Sequence, residues 1–196
     1  MNNEFEEIFE QMKVHGLKVP NNKIIIRIPN AKIVLENALR YFLGLDGKKM
    51  IWLPQYDQIA EWLEDNKGRG LLLYGSCGLG KTFLSRYVIP AIILKYHNKV
   101  VHSFDMTELN KEPDKVLAKH LIAIDDIGTE DISIRFGEKR SVVPEILDAA
   151  EKYGKLLLLT SNLGGEDLIK KYGNRTFDRI LAVTKRIEFN GKSFRE

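Results

Sequence analysis

Residues 70–82, GLLLYGSCGLGKT, run from an apolar stretch into a glycine-rich turn and on into a helix-forming segment. Gly75-Ser76-Cys77-Gly78-Leu79-Gly80-Lys81-Thr82 matches G-x-x-x-x-G-K-[ST] in full. The spacing has a physical reason. Glycines let the backbone turn so that successive N–H groups point inward, where they can hold phosphate oxygens. The helix that follows adds its positive N-terminal end. In such a loop Lys81 reaches the β- and γ-phosphates, the Thr82 hydroxyl ligates Mg²⁺, and Phe83 follows directly. The motif therefore predicts binding of a nucleoside triphosphate, ATP with Mg²⁺. Cys77 sits where the backbone, not the side chain, meets phosphate, and no histidine base can be assigned to it. Pro90 is expected to kink the helix or end its first segment.

The same alternation continues along the chain. VVHSF (100–104), LIAIDDIG (121–128), LLLLTSN (156–162) and RIEF (186–189) read as further strands. Helical patterns separate them, notably at 141–153 and 166–182. Apolar strands alternating with helices predict an α/β fold, a P-loop NTPase core with a central parallel sheet covered on both faces. Upstream the pattern differs. Residues 3–14, 31–43 and 55–66 carry helical periodicity, and KIIIRIP (23–29) reads as a strand or extended arm. GLDGKK (44–49) is turn chemistry. The expected division is a mostly helical N-terminal partner-binding segment, 1–67, and an ATPase domain, 68–196.

LIAIDDIG places Asp125 and Asp126 at the carboxyl end of an apolar strand, where open α/β sheets hold ligands. Asp125 is assigned to Mg²⁺ and Asp126 to positioning or deprotonating the attacking water. Thr160, Ser161 and Asn162 end the next strand, within reach of a γ-phosphate or that water. In YGNRTFDRI (172–180), Arg175 and Arg179 lie four apart and share a helix face. Asp178 is placed to pair with Arg175. An arginine here could reach a triphosphate in a neighbouring subunit and neutralise charge in the transition state.

Composition removes several classes. The chain has 196 residues, 44% of them hydrophobic, which is enough for a buried core. A net charge of +3 neither demands nor excludes a nucleic-acid partner. One cysteine rules out an internal disulfide framework, and four scattered histidines give no zinc-site spacing. The acidic N-terminus lacks a signal peptide's apolar run, and no stretch approaches the ~18 apolar residues of a membrane helix. The expectation is a soluble, cytoplasmic protein with no membrane association.

Taken together, GSCGLGKT, LIAIDDIG, TSN, the YGNRTFDRI helix and the closing RIEFNGKSFR resemble the AAA+ ATPases of the DnaC/IstB type. That family contains bacterial replicative-helicase loaders and the helper ATPases of certain transposons. The resemblance covers roughly residues 68–196. It implies that Asn162 senses the γ-phosphate and that Arg179, with Arg175 as the second candidate, is a trans-acting arginine finger. It also implies that the helical lid of larger members is missing. It further implies self-association or a replicative-helicase partner, contact with single-stranded DNA, and slow hydrolysis until assembled. A transposase is the alternative partner, and a small phosphotransferase is the alternative from another class. The first 67 residues match no loader's helicase-binding domain. The segment 128–140 (GTEDISIRFGEKR) reads as an exposed polar loop, with Arg135, Lys139 and Arg140 set against Glu130, Asp131 and Glu138.

Overall fold

The computed structural model describes residues 3–16, 23–129, 133–135, 138–140 and 142–194. In chain order, α1 (Asn3–Val14), α2 (Ala31–Leu45) and α3 (Pro54–Glu64) precede β1 (Gly70–Gly75). Then come α4 (Lys81–Phe83), a π-helical turn (Leu84–Val88), α5 (Ile89–His97), β2 (His102–Phe104), α6 (Met106–Lys111), α7 (Pro113–Leu117) and β3 (Leu121–Ile124). The chain continues through β4 (Ser133–Arg135), β5 (Glu138–Arg140), α8 (Val142–Tyr153), β6 (Leu156–Ser161), α9 (Gly165–Tyr172), α10 (Asn174–Val183) and β7 (Thr184–Phe189).

Five strands form one parallel sheet in the order β2-β3-β6-β1-β7. Successive strand residues face opposite sides, and the two cores divide on that rule. Leu71, Leu73, Leu156, Leu158, Ile187 and Phe189 point into one. Leu72, Ile122, Ile124, Leu157 and Leu159 point into the other. Because both faces are covered, the strands read as unbroken apolar runs. Helices α6–α10 cover the second face. The first is covered by α5 and by residues 24–63, whose Ile26, Ile28, Leu35, Leu39, Ile59 and Trp62 are buried against it. The arm at 23–28 is extended and joins neither sheet. The side chain of Asn66 ties it down, accepting from Ile26 N at 2.9 Å and donating to Ile24 O at 3.0 Å.

Two expectations are corrected. The helical pattern at 166–182 is two helices, because Gly173 adopts φ 82° and ψ 161°, which no helix accommodates. The stretch 128–140 is not wholly loop, since β4 and β5 pair antiparallel with Ile134 opposite Lys139. The charges read there, Glu130 and Asp131 and the side chains of Arg135, Glu138, Lys139 and Arg140, lie outside the described residues. Helices α6 and α7 lie between β2 and β3, where helical patterns are expected to separate the strands. The signal for α6 was present, since Asp105 and Glu108 form a reciprocal capping box. Pro90 does not end the helix, which continues through it from the π-helical turn into α5. Proline has no N–H for the preceding turn, the ladder widens, and Ile89 N–H bonds Leu84 O, five residues back.

Candidate nucleotide site

The carboxyl ends of β1, β3 and β6 meet on one side of the sheet, with β6 in the middle. The phosphate loop follows β1, Asp125 and Asp126 follow β3, and Asn162 follows β6. The order of the strands therefore sets the asparagine between the lysine and the acids. Lys81 Nζ donates to Asn162 Oδ1 at 2.9 Å and to the loop carbonyls Gly75 O at 2.9 Å and Ser76 O at 2.8 Å. Asn162 Nδ2 donates to Asp126 Oδ1 at 2.7 Å. Thr82 Oγ1 donates to Asp125 Oδ1 at 2.8 Å. Lys81, Asn162 and Asp126 are thus one connected set, beside the Thr82–Asp125 pair.

The acidic turn is held from below by β6. The Thr160 hydroxyl accepts from Asp126 N at 2.8 Å and donates to Asp125 Oδ1 at 2.6 Å. Ser161 Oγ donates to Ile127 O at 2.7 Å, and Ile127 N donates to Thr160 O at 2.8 Å. This scaffold keeps Asp126 in the left-handed region, φ 57°, a costly conformation for a side-chain-bearing residue that clusters at functional sites. Thr160 and Ser161 were expected within reach of a γ-phosphate or the attacking water, and their hydroxyls bond the acidic turn instead. The T-S pair directly before the asparagine was the available signal.

The phosphate loop is fixed on its other side by the chain after β7. Ser76 N donates to Phe189 O at 2.8 Å, and Phe194 N donates to Gly78 O at 3.1 Å. Gly78 has φ 78°, and a Cβ there would stand 2.1 Å from Ser193 Oγ, so only glycine fits. Leu79 is buried and Cys77 exposed. Gly80 caps α4, and Phe83 stacks edge-on against Phe42 of α2, ring centres 6.4 Å apart.

A cavity of about 770 Å³ opens over the loop. Lys81, Thr82, Asp125, Asp126, Thr160 and Asn162 line it. So do Leu43, Asp46, Lys48, Lys49, Ile51, Tyr56, Tyr87 and Phe194. Sequence reasoning assigned none of these last residues, because they come from the segment upstream of β1, from the helix and from the chain after β7. Burial pushes the Tyr56 phenol up to about 12, so it stays a neutral hydroxyl.

Neither arginine lines this cavity. Arg179 Nε lies 2.7 Å from Asp148 Oδ1 and 3.3 Å from Glu151 Oε2, both on α8, with its side chain 22% exposed. Arg175 is exposed on α10, and among the described residues no ion pair joins it to Asp178.

This is the fold of a P-loop NTPase with an AAA+ core. Solved structures place it further, with the fold of a DnaC-type AAA+ ATPase. The DnaC helicase loader aligns over 72% of this chain and 94% of its own, with TM-score 0.60 and 18% identity. DnaI aligns over 65% and 73%, with TM-score 0.50 and 25% identity. A putative primosome component from Streptococcus pyogenes serotype M3 aligns over 87% and 86%, with TM-score 0.53 and 18% identity. AMPPCP-bound DnaA from Aquifex aeolicus aligns over 74% of this chain and half of its own, with TM-score 0.51. Residues 49–124 match the family described as Nephrocystin 3, N-terminal, a span that takes in the phosphate loop and β3. No curated protein matches in sequence.

Proposed function

We propose that this chain is an ATP-hydrolysing switch of the helicase-loader kind, acting in DNA replication. One observation carries the reading: Lys81, Asn162 and Asp126 form a continuous chain of contacts beside the Thr82–Asp125 pair. An arriving triphosphate competes for Lys81 Nζ, which otherwise bonds its own loop. Asn162 then senses the γ-phosphate directly, because it touches both the lysine and the acid. Asp126 orients the attacking water and takes its proton as the γ-phosphoryl group leaves ADP.

The Thr82 hydroxyl and the Asp125 carboxylate, hard oxygen donors 2.8 Å apart, fit Mg²⁺. Bound there, Mg²⁺ would supply charge neutralisation for the phosphates.

Arg175 projects to solvent from α10, while Arg179 anchors that helix to α8. In this reading Arg175 reaches the triphosphate of an adjacent subunit and Arg179 keeps α10 in place. The partner is a second copy or a ring-shaped helicase, with single-stranded DNA as the third component.

Subunit mixing tests this. Lys81→Ala and Arg175→Ala should each hydrolyse ATP poorly, and an equal mixture should regain activity because each subunit supplies what the other lacks. Single-stranded DNA should raise turnover. Fast hydrolysis by a strict monomer, unaffected by Arg175→Ala and by Arg179→Ala, would sink the shared-site reading.

A further inference from the structure

Residues 190–194 follow β7 and lie on the phosphate loop, yet nothing in the hydrolytic scheme uses them. Three contacts hold them there. Phe194 N–H bonds Gly78 O at 3.1 Å. Ser193 fills the space that a side chain at Gly78 would need. Gly191 packs on Leu79, where a Cβ would stand 3.8 Å from a Leu79 methyl group. The loop is thus gripped at Gly78 and Leu79 by a segment more than a hundred residues away in the chain. Held this way, the Phe194 ring lines the same cavity as Lys81 and Thr82, while remaining 49% exposed.

A half-exposed aromatic ring on a cavity wall is short of a partner. Leu43, Ile51, Tyr56 and Tyr87 line the same cavity, together with the charged Asp46, Lys48 and Lys49. A nucleotide anchored by its phosphates on Lys81 and Thr82 has these apolar and aromatic side chains in reach of its flat, apolar-faced base.

We propose that residues 190–194 are a strap across the nucleotide site and that Phe194 stacks on the base. This deepens the nucleotide reading above and rests on it. The strap discriminates by ligand: it adds affinity for a nucleoside triphosphate and none for a bare triphosphate. Its grip on Gly78 O ties the ring's position to the conformation of the phosphate loop.

The test compares ATP with inorganic tripolyphosphate in the full chain, by calorimetry. Phe194→Ala should weaken ATP binding roughly 5- to 100-fold, the scale of one base–aromatic stack, and leave tripolyphosphate within about twofold. Phe194→Trp should keep ATP affinity, and ATP should quench its emission. Because the ring is half exposed, Phe194→Ala should unfold at the parent temperature. Unchanged ATP affinity in Phe194→Ala overturns the strap. So does equal weakening of both ligands, which would mean that the segment only props up the phosphate loop. Lys81→Ala serves as the control: if it binds ATP as the parent does, the nucleotide reading itself fails, and the strap with it.

Discussion

Thr160 concentrates two jobs in one oxygen. Its hydroxyl accepts from Asp126 N–H and donates to Asp125 Oδ1, and the residue is 1% exposed. A carboxylate whose partner is lost, or a buried N–H left unpaired, costs roughly 1–3 kcal/mol. Thr160→Val keeps the shape and removes both bonds. It should lower stability by about that amount, measured by urea unfolding, and cut ATP turnover by about tenfold or more while ATP affinity holds. Equal loss of affinity and turnover would place Thr160 in binding instead. At this scale the sequence was highly informative about the phosphate loop, since every residue from Gly75 to Thr82 is consecutive. It was less informative about Thr160, because a strand-end threonine looks the same whether it faces solvent or supports an acid.

Among the elements, β2 is the edge strand next to β3. His102 on it is partly buried, and its pKa is held below the usual 6.5 by that burial first and by the Lys119 charge second. The folded chain therefore binds this proton less readily than the unfolded chain. The sign follows: the contribution of His102 to stability is present above 6.5 and is lost as pH falls through the lower, folded-state value. Denaturation curves between about pH 5 and 7 should show stability falling with acid, and His102→Gln should flatten that slope. An imidazole that titrates at or above 6.5 by NMR would contradict it. Element types were largely legible, because continuous apolar runs and 3.6-residue periodicity are local signals. The division of 166–182 at Gly173 was not, since an isolated glycine can sit inside a helix or end one. The β4–β5 pairing escaped for a different reason. Two three-residue strands carry too few residues to show an alternation.

At the scale of the whole molecule, residues 24–63 share a continuous core with β1, β6 and β7. Trp62 is the largest fully buried side chain there, and its Nε1 donates to Arg69 O at 2.8 Å and Gly70 O at 3.1 Å, at the start of β1. Trp62→Ala should cost about 3–5 kcal/mol. The loss should appear as one lowered transition, seen together by far-ultraviolet dichroism and by fluorescence of the remaining Trp52. Two separate transitions would mean that the upstream helices unfold on their own.

Spacing along the chain was enough to establish a parallel α/β sheet, a phosphate loop and an acidic strand end, because each depends on neighbours within a few residues. The fold that holds them follows from non-local contacts. Lys81 and Asn162 are 81 residues apart and touch only because β6 lies between β1 and β3. Which strands are adjacent depends on how the helices between them pack, and side chains distant in sequence decide that. The same reason explains the two arginines. Four residues apart on one helix, they share a face and the resemblance puts Arg179 first as the finger, whereas the packing of α10 on α8 gave Arg179 two carboxylates and left Arg175 in solvent.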